Sequence, residues 1–415
     1  MSKVIIAGGG VIGLCSAYYA RKAGHEVTVI ERGDISGGTS FGNAGYVSPS
    51  HFVPLASPGI IAKGLRWMLS STSPFYIKPR LSLDLIRWGL TFWKQSNRHT
   101  VEQNVPHLHA ILQLSRHLQS ELKQELTHPF LMEEIGCFML YQSHATEQHE
   151  RELAEEAAGL GIETRILTGK EVQDMEPDVE VNTLGGVLYP IDCHIHPGQF
   201  MQSLHHALKD MGAKMQLNTN ITGFERKGKK IQAVITDHGR FEADEVVMAT
   251  GSWSPETSGM LGINMILQPG KGYSMTFDHL QKNLKYPAIL VDKRVAMTPF
   301  GDSLRMGGTM EISGLHSPTL VKRAQAIMAG AKAYYPKLDV AFPGPEKIWH
   351  GYRPLSPDGL PYLGRHSKYE NLVVASGHAM IGITLAAATG KIVEELVSRT
   401  PTSIDISGFD VERYG

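Results

Sequence analysis

The sequence predicts an α/β fold that opens with two parallel strands joined by a helix. An apolar run at residues 4–7 leads into a glycine-rich loop, a helical pattern follows, and a second apolar run occupies residues 27–30. Helical and strand patterns then alternate along the 415 residues, a length typical of about two or three domains. Because no clear linker separates these patterns, we expect the domains to be interleaved.

The glycine loop carries the pattern of a dinucleotide-binding turn. Gly8 allows the tight turn after the strand, Gly10 lets the backbone approach a pyrophosphate, and Gly13 lets the helix pack closely on the sheet. The helix N-terminus offers N–H groups to the phosphates. Glu31 ends the second strand, roughly 20 residues on, where an acid accepts hydrogen bonds from a ribose. The loop itself reads Gly8-Gly9-Gly10-Val11-Ile12-Gly13.

Two uncharged runs, at residues 4–20 and 372–390, have the composition of a signal peptide or a membrane span. In the first run the glycines lie at turn positions, and the strand begins so early that we expect no leader before it. In the second run His378 and several glycine and serine residues interrupt the apolar pattern. We therefore interpret both runs as buried segments of the fold.

Composition and charge narrow the class of function. The 40 Lys and Arg residues balance 41 Asp and Glu residues, and a net charge of −1 does not favour nucleic acid as a partner. Cys15, Cys137 and Cys193 are far apart, which fits a reducing, cytoplasmic compartment without a disulfide framework. The 19 histidines form no group with acidic or cysteine residues at ligand spacing, so no metal site is predicted.

The middle of the sequence alternates between helical and strand patterns. The basic run at residues 225–230 is most simply a solvated hairpin turn between two strands. The other predicted elements are helices over residues 100–127, 145–160 and 197–212, a strand over residues 135–141, and strands near residues 215, 221 and 231.

Three later segments indicate further places where the backbone lies close to a cofactor. A strand at residues 245–248 ends in Ala-Thr-Gly-Ser-Trp-Ser, although a buried strand with a glycine exit is not specific by itself. Residues 351–361 read Gly-Tyr-Arg-Pro-Leu-Ser-Pro-Asp-Gly-Leu-Pro. Residues 377–384 read Gly-His-Ala-Met-Ile-Gly-Ile-Thr and lead into a predicted helix over residues 386–397.

Together with residues 39–45 and 269–274, these motifs resemble those of the D-amino-acid oxidase-like flavoenzymes, and among them the D-amino-acid dehydrogenase branch. The resemblance spans essentially the whole chain. It implies FAD as the cofactor, bound by a Rossmann-like domain that is interleaved with a smaller α+β substrate domain on a mixed or antiparallel sheet. The expected FAD-binding domain comprises residues 1–50, 196–262 and 350–415, and the expected substrate-binding domain comprises residues 51–195 and 263–349.

The resemblance also implies which residues contact FAD. The glycine loop would face the pyrophosphate, residues 40–45 would line the path to the flavin, and residues 377–384 would hold the flavin edge. The helix that begins near Ile383 would direct N–H groups at the pyrimidine end of the flavin and stabilise negative charge there. The cofactor-binding residues so predicted are Gly8, Gly10, Val11, Ile12, Gly13, Glu31, Arg32, Ser40, Asn43, Ala44, Gly45, Ile221, Gly251, Gly377, Met380, Ile381, Gly382, Ile383 and Thr384.

An amino-acid substrate presents a carboxylate, for which a buried arginine is the best partner. In the family that the chain resembles, an arginine in a Gly-x-Arg-Pro context binds this group, which points to Arg353; a structural pair with Asp358 is the alternative. Tyr273 is the second predicted catalytic residue because its phenol can donate to the same carboxylate, although a strand tyrosine can equally face the core. Tyr352 and His350 should point to the opposite face of the strand from Arg353.

The sequence departs from glycine-oxidase-like relatives at one place in this site. Those relatives carry an additional arginine in the loop after Gly-His, whereas residues 379–381 here are Ala, Met and Ile. Arg353 would therefore bind the carboxylate without a second cation. The rest of the pocket is expected to be more apolar and to favour side chains larger than hydrogen.

The resemblance implies FAD-dependent oxidative deamination of D-amino acids, with D-proline and hydroxyproline among the candidate substrates, by hydride transfer from Cα to flavin N5. Electrons would then pass to a quinone or to another acceptor that is not oxygen. Two alternatives stay open: an amino-acid oxidase that uses oxygen, and a flavin-binding subunit of a larger redox assembly. A nicotinamide enzyme fits the glycine loop but not the later motifs.

Residues 51–94 are rich in aromatic and basic side chains. They include Trp67, Trp88 and Trp93, and six basic residues against a single acid, Asp84. Short helices of this composition are suited to lying on an anionic lipid surface, so we expect peripheral contact with the cytoplasmic face of a membrane. The alternative is that the aromatic side chains fill the interior between the two domains.

Overall fold

The computed structural model describes residues 1–54, 56, 73 and 75–414. Within these residues the chain forms two large sheets with flanking helices, and two small sheets. The strands are β1 (Lys3–Ala7), β2 (Glu26–Ile30), β3 (Tyr46–Val47), β4 (Phe75–Ile77), β5 (Met132–Glu133), β6 (Cys137–Tyr141), β7 (Arg165–Thr168), β8 (Gly185–Tyr189), β9 (Cys193–Ile195), β10 (Lys214–Gln216), β11 (Ile221–Lys227), β12 (Lys230–Thr236), β13 (Gly239–Glu242), β14 (Glu245–Met248), β15 (Gln268–Phe277), β16 (Ala288–Leu290), β17 (Val295–Phe300), β18 (Ser303–Ile312), β19 (Trp349–Leu355), β20 (Tyr362–Arg365) and β21 (Leu372–Ser376). The α-helices are α1 (Val11–Lys22), α2 (Leu83–Gln95), α3 (Arg98–Glu125), α4 (His144–Gly159), α5 (Gly169–Met175), α6 (Pro197–Asp210), α7 (Ser254–Gly259), α8 (Val321–Tyr334) and α9 (Gly382–Ser398).

The first large sheet has the strand order β10-β2-β1-β14-β21-β20, and its neighbours are parallel except for β20 and β21. Its strands are almost wholly apolar because both faces are covered. Helices α1 and α9 pack on one face, and the small sheet β11-β12-β13 packs on the other. The strand order reverses between β1 and β14, and the carboxyl ends of strands at such a point form a ligand-binding crevice.

The second large sheet has the strand order β19-β15-β18-β17-β16-β6-β8-β7, and β4 also pairs with β18. Most neighbours are antiparallel, but β6 with β16 and β4 with β18 are parallel, so the sheet is mixed, as predicted. One face packs against the apolar side of α8. The other face is turned toward the loop at residues 41–43, where the Ser274 hydroxyl donates to the Gly42 carbonyl at 3.0 Å.

Most predicted elements are present with bounds shifted by a few residues. The helix predicted over residues 100–127 is α3, and the basic run at residues 225–230 is the hairpin between β11 and β12, with Gly228 at a φ of +61°. The domain boundary predicted at residue 350 differs, since β19 belongs to the second sheet through its pairing with β15. Helix α3 shares the core of α1 and α9, because its apolar face buries against the alanine-rich α9.

The two uncharged runs form buried segments, as interpreted from the sequence. Residues 4–20 form β1 and most of α1, and residues 372–390 form β21 and the first half of α9. Among the residues that the structure describes, no helix combines the length and the apolar character that crossing a membrane requires.

Candidate functional site

The glycine loop lies between β1 and α1, beside the end of β14. Gly8 has a φ of +109°, and a Cβ there would overlap the carbonyl oxygen of Ala249. A Cβ on Gly13 would overlap the carbonyl oxygen of Gly8, so α1 packs against the sheet as closely as its glycine allows. A Cβ on Gly10 would meet only the Ser40 hydroxyl, at 3.5 Å. The loop is therefore closed toward the sheet and open on the side where a pyrophosphate would lie.

The first turn of α1 and the end of β2 together offer donors and an acceptor to a dinucleotide. No side chain caps α1 at Gly10, so its N-terminal dipole is available to an anion. The Glu31 carboxylate accepts hydrogen bonds from the amides of Gly9, at 2.6 Å, and Gly33, at 3.0 Å. Each carboxylate oxygen can accept a further bond. Glu31 is thus held in place and can still accept a ribose hydroxyl.

The predicted cofactor-binding residues converge on one edge of the first sheet. The strands β1, β2, β14 and β21 are parallel, so their carboxyl ends meet there. The start of β11 joins them because the Thr219 amide donates to the Glu31 carbonyl at 2.9 Å. The residues lie in the β1–α1 turn (Gly8, Gly10, Val11, Ile12, Gly13), after β2 (Glu31, Arg32), before β3 (Ser40, Asn43, Ala44, Gly45), at the start of β11 (Ile221), after β14 (Gly251) and around the start of α9 (Gly377, Met380, Ile381, Gly382, Ile383, Thr384).

The segment before β3 is hydrogen-bonded to helix α1 and to the second large sheet. The Ser40 hydroxyl accepts from the amide of Val11 at 3.1 Å, and Nη1 of Arg305 in β18 donates to the carbonyl of Asn43 at 2.7 Å. Burial lowers the pKa of Arg305 to about 10. Sequence reasoning missed Arg305, because an arginine in a strand does not indicate which distant carbonyl it reaches. Its bond fixes the predicted flavin path against the substrate-binding sheet.

The loop before α9 forms the other wall of the crevice. Gly377 and Ala379 have φ values of +80° and +44°, and no side chain caps the N-terminus of α9. The free N–H groups of this first turn fit the predicted role at the pyrimidine end of the flavin. The Ala379 amide donates to the Pro354 carbonyl at 3.0 Å, which brings the loop next to β19.

Arg353 lies in β19, opposite Gly270 of β15. Its Nη1 donates to the Thr309 carbonyl at 2.8 Å, and among the described residues it has no carboxylate partner. Burial lowers the pKa of its guanidinium to about 10. The alternative partner, Asp358, instead pairs with Arg413, with 2.7 Å between Oδ2 and Nε. Arg353 is therefore a half-buried cation with donors left for an anionic ligand.

Tyr273 lies on the opposite face of the second sheet. It pairs with His350, which is three positions before Arg353 in β19, and side chains alternate between faces along a strand. Its hydroxyl donates to Glu311 at 2.8 Å and accepts from the Leu320 amide at 3.2 Å. Burial raises the pKa of Tyr273, and the hydrogen bond to Glu311 adds to the effect. The structure thus separates the two residues predicted to share the substrate carboxylate, because Tyr273 faces the core.

Two histidines near the crevice are engaged in the protein interior. Nε2 of His378 lies 3.0 Å from the Thr389 hydroxyl, and burial lowers the pKa of His378 to about 3. Burial likewise lowers the pKa of His51 to about 4. Burial favours the neutral form of both, and among the residues that the structure describes neither has a carboxylate partner that would tune it toward a catalytic base.

The match to a family model decides the class of protein. The model of the DAO family, FAD dependent oxidoreductase, matches residues 3–396. The chain belongs to this family. Its predicted fold class and its cofactor, FAD, are thereby confirmed. The open glycine loop, Glu31 and the uncapped start of α9 are the groups in this structure that would hold FAD.

Relatives resemble the chain over its full length. A D-amino acid dehydrogenase of Vibrio atlanticus (strain LGP32) is 31% identical over 426 residues, covering 99% of this chain and 100% of the relative. Glycine oxidase from Geobacillus kaustophilus has a TM-score of 0.79 at 23% identity, with 100% of both chains covered. L-proline dehydrogenase from P. horikoshii has a TM-score of 0.77 at 19% identity, covering 100% of this chain and 97% of that one. The two structures share the fold with this flavoenzyme.

Proposed function

We propose that this flavoenzyme is a dehydrogenase of D-amino acids. The proposal is carried by Arg353, a half-buried residue that has no acidic partner among the described residues. It lies on the face of the second sheet that is turned toward the predicted flavin path. A carboxylate is the planar anion that such a group binds best. The stereochemistry is supported by the full-length relative from Vibrio atlanticus, which is named D-amino acid dehydrogenase.

The protein's own residues would bind and orient the substrate. FAD, when bound, accepts a hydride from the substrate Cα–H bond. Arg353 would hold the carboxylate so that this bond stays in a fixed position, and surrounding apolar side chains would exclude water. The imino acid that leaves the site hydrolyses to the oxo acid. No protein base is required where the amine binds in its neutral form.

The surroundings of Arg353 support substrates with side chains larger than hydrogen. Sδ of Met310 lies 4.0 Å from Nη1 of Arg353, and Met310 packs in one apolar cluster with Ile266, Leu355 and Trp88. No second cation is present at residues 379–381. This apolar environment fits cyclic substrates such as D-proline and hydroxyproline as well as acyclic D-amino acids.

Anaerobic bleaching of the holoenzyme's flavin absorbance tests this proposal. We expect bleaching by D-amino acids and not by their L-enantiomers, with the imino or oxo acid as product. Bleaching by L-enantiomers alone would contradict the stereochemistry. A holoenzyme bleached by no amino acid would contradict the proposed substrate class and favour a subunit of a larger assembly.

The electron acceptor is proposed to be a quinone or another carrier rather than oxygen. Admission of air to the bleached enzyme measures the oxygen reaction directly. Slow recovery of the flavin colour in air, with fast recovery on addition of a soluble quinone, is the expected result. Fast recovery in air would instead identify an amino-acid oxidase.

We propose that α2 places the enzyme on an anionic lipid surface. One stripe of this helix exposes Leu83 (85%), Ile86 (49%), Leu90 (57%) and Trp93 (62%), whereas Trp88 on the other side is 3% exposed. The predicted interior role therefore fits Trp88, and the predicted surface role fits Trp93. Two exposed basic residues of α2, Arg87 and Lys94, add charge complementarity to anionic headgroups.

Part of the predicted membrane-contact stretch at residues 51–94 lies outside the described residues. This part comprises residues 55, 57–72 and 74, and it includes Lys63, Arg66 and Trp67.

Vesicle co-sedimentation tests the role of α2. We expect the holoenzyme to bind vesicles that contain phosphatidylglycerol more strongly than vesicles of phosphatidylcholine alone. Replacing Leu83 and Leu90 by serine should abolish this binding and leave dye reduction intact. Replacing the exposed Leu160 and Leu184 by serine is the matched control. Equal binding by both double variants would contradict the proposal.

A further inference from the structure

Arg305 in β18 is a buried arginine that makes no ion pair with any described residue. The residue is 6% exposed, and its Nε donates to the Thr276 hydroxyl at 3.0 Å. Burial lowers the pKa of the guanidinium, and the carboxylate of Asp278 opposes only part of this effect. Burying a charge is unfavourable unless other groups interact with it. The groups that Arg305 holds are therefore the reason to look for its role.

One nitrogen of Arg305 holds two carbonyl groups of the same turn. Nη1 donates to the carbonyl oxygen of Asn43 at 2.7 Å and to that of Phe41 at 3.3 Å. Between them, the carbonyl oxygen of Gly42 accepts from the Ser274 hydroxyl of β15 at 3.0 Å. Three successive carbonyl groups are thus directed at the second sheet.

The N–H groups of this turn point the other way, because in a trans peptide unit the N–H and the carbonyl are opposed. The Phe41 carbonyl shares a peptide unit with the N–H group of Gly42. The Asn43 carbonyl shares one with the N–H group of Ala44. Both N–H groups therefore point away from the second sheet, and neither donates to a described residue. The Asn43 N–H group is already used, since it donates to the Ser40 carbonyl at 3.2 Å.

The side of the turn away from the second sheet is the side of the glycine loop. The Ser40 hydroxyl, at the start of the same turn, accepts from the amide of Val11 in the first turn of α1. Gly42 is buried, and a buried N–H group without an acceptor is rare in proteins. A cofactor bound between the glycine loop and the second sheet is the group that would supply the acceptors.

We propose that Arg305 is a positioning residue for the flavin of FAD. By holding two carbonyls of the turn, it directs the N–H groups of Gly42 and Ala44 at the flavin, where they stabilise the negative charge gained on reduction. Its positive charge strengthens both donors, because it polarises the carbonyl at the other end of each peptide unit. Arg305 acts through the turn rather than by contact with the cofactor. The inference concerns FAD alone and is independent of which amino acid is the substrate.

The reduction potential of the bound flavin, measured by anaerobic titration of the holoenzyme against a reference dye, tests this assignment. Arg305→Met removes the charge and the donors with a side chain of similar length. Arg305→Lys keeps one charged nitrogen, and one nitrogen makes both bonds in the wild type. We expect the Met variant to favour the reduced flavin about tenfold less, which lowers the two-electron potential by about 30 mV. The Lys variant should stay close to the wild type.

Arg21→Met is the matched control. Arg21 also holds two backbone carbonyls, of Met211 at 2.6 Å and of His25 at 2.8 Å, but at the end of α1 far from the glycine loop. This variant should keep the wild-type potential. If Arg305→Met does not fold, Thr276→Val takes its place, because it removes the hydroxyl that holds Nε. Its potential should fall in the same direction by a smaller amount.

Four results would overturn the assignment. The first is an unchanged potential in Arg305→Met, or in Thr276→Val where that variant replaces it. The second is an equal shift in Arg305→Lys and Arg305→Met, and the third is an equal shift in the Arg21→Met control. The fourth is a weaker affinity of Arg305→Met for FAD with an unchanged potential, which would place the two N–H groups at the pyrophosphate instead.

Discussion

The two faces of β15 and β19 differ in how completely their polar groups are bonded. On one face, the nitrogen of Lys271 donates to Ser317 and Pro318, and the hydroxyl of Tyr273 bonds Glu311. On the other face, the hydrogen bonds of Arg353 to described residues go to the carbonyl of Thr309 and, at 4.0 Å, to Sδ of Met310, and both use Nη1. The polar groups of the first face are used in bonds within the protein. On the second face, Arg353 has donors left for a ligand. Spare hydrogen-bonding capacity, rather than residue type, marks the face that binds a ligand.

Removal of the Arg353 side chain should have the largest effect on activity. Arg353→Ala leaves the substrate carboxylate buried without its charge partner, so kcat/KM for D-alanine should fall by at least about a hundredfold. Arg353→Lys keeps the charge but not the planar fork and should recover only part of the loss. Both variants should retain FAD, which absorbance of the purified protein checks. Unchanged activity in Arg353→Ala would show that the face carrying Arg353 does not bind the substrate carboxylate.

A methyl group at Gly272 should have a smaller effect through the position of the same guanidinium. The added Cβ overlaps Arg353, so the side chain must leave the Thr309 carbonyl. We expect Gly272→Ala to raise the KM by roughly tenfold to a hundredfold with little change in FAD content. The control is Gly223→Ala in β11, where a Cβ meets no atom within 4 Å. Equal kinetics in the two variants would show that catalysis does not depend on the present position of the Arg353 guanidinium.

Loss of the Tyr273 hydroxyl should affect stability and leave substrate binding unchanged. Tyr273→Phe removes a donor from Glu311, which is 1% exposed, so the free energy of unfolding should fall by about 1–3 kcal/mol. The KM for D-alanine should match the wild type because Tyr273 faces away from Arg353. Denaturant unfolding and steady-state kinetics on the same preparation separate these quantities. A raised KM without loss of stability would show that Tyr273 contacts the substrate.

The glycine turn and the acid that follows it could be predicted from the sequence because their determinants are local. The turn after β1, the close approach at Gly13 and the acid that follows β2 are all encoded within the first 31 residues. Backbone conformation and strand direction then bring distant segments to the same edge of a parallel sheet. The later glycine-containing segments at residues 249–254 and 377–384 could be placed there by the same logic.

The substrate end could be predicted only in part because it depends on register between distant strands. The sequence indicates Arg353, but it does not show that Tyr273 pairs with His350 and so faces away from Arg353. Nor does it show the bulge at Thr309, which appears only when β15 and β18 are aligned. Asp358 finds its partner in Arg413, 55 residues away, rather than in the neighbouring Arg353.

A crystal structure of the holoenzyme with bound propanoate tests the central claim most directly. We predict that the carboxylate lies on the face of β15 and β19 that carries Arg353, within hydrogen-bond distance of its guanidinium. Tyr273 should keep its bond to Glu311 in that complex. A carboxylate bound to Tyr273, or an Arg353 that contacts only protein atoms in the complex, would contradict the assignment of the two faces.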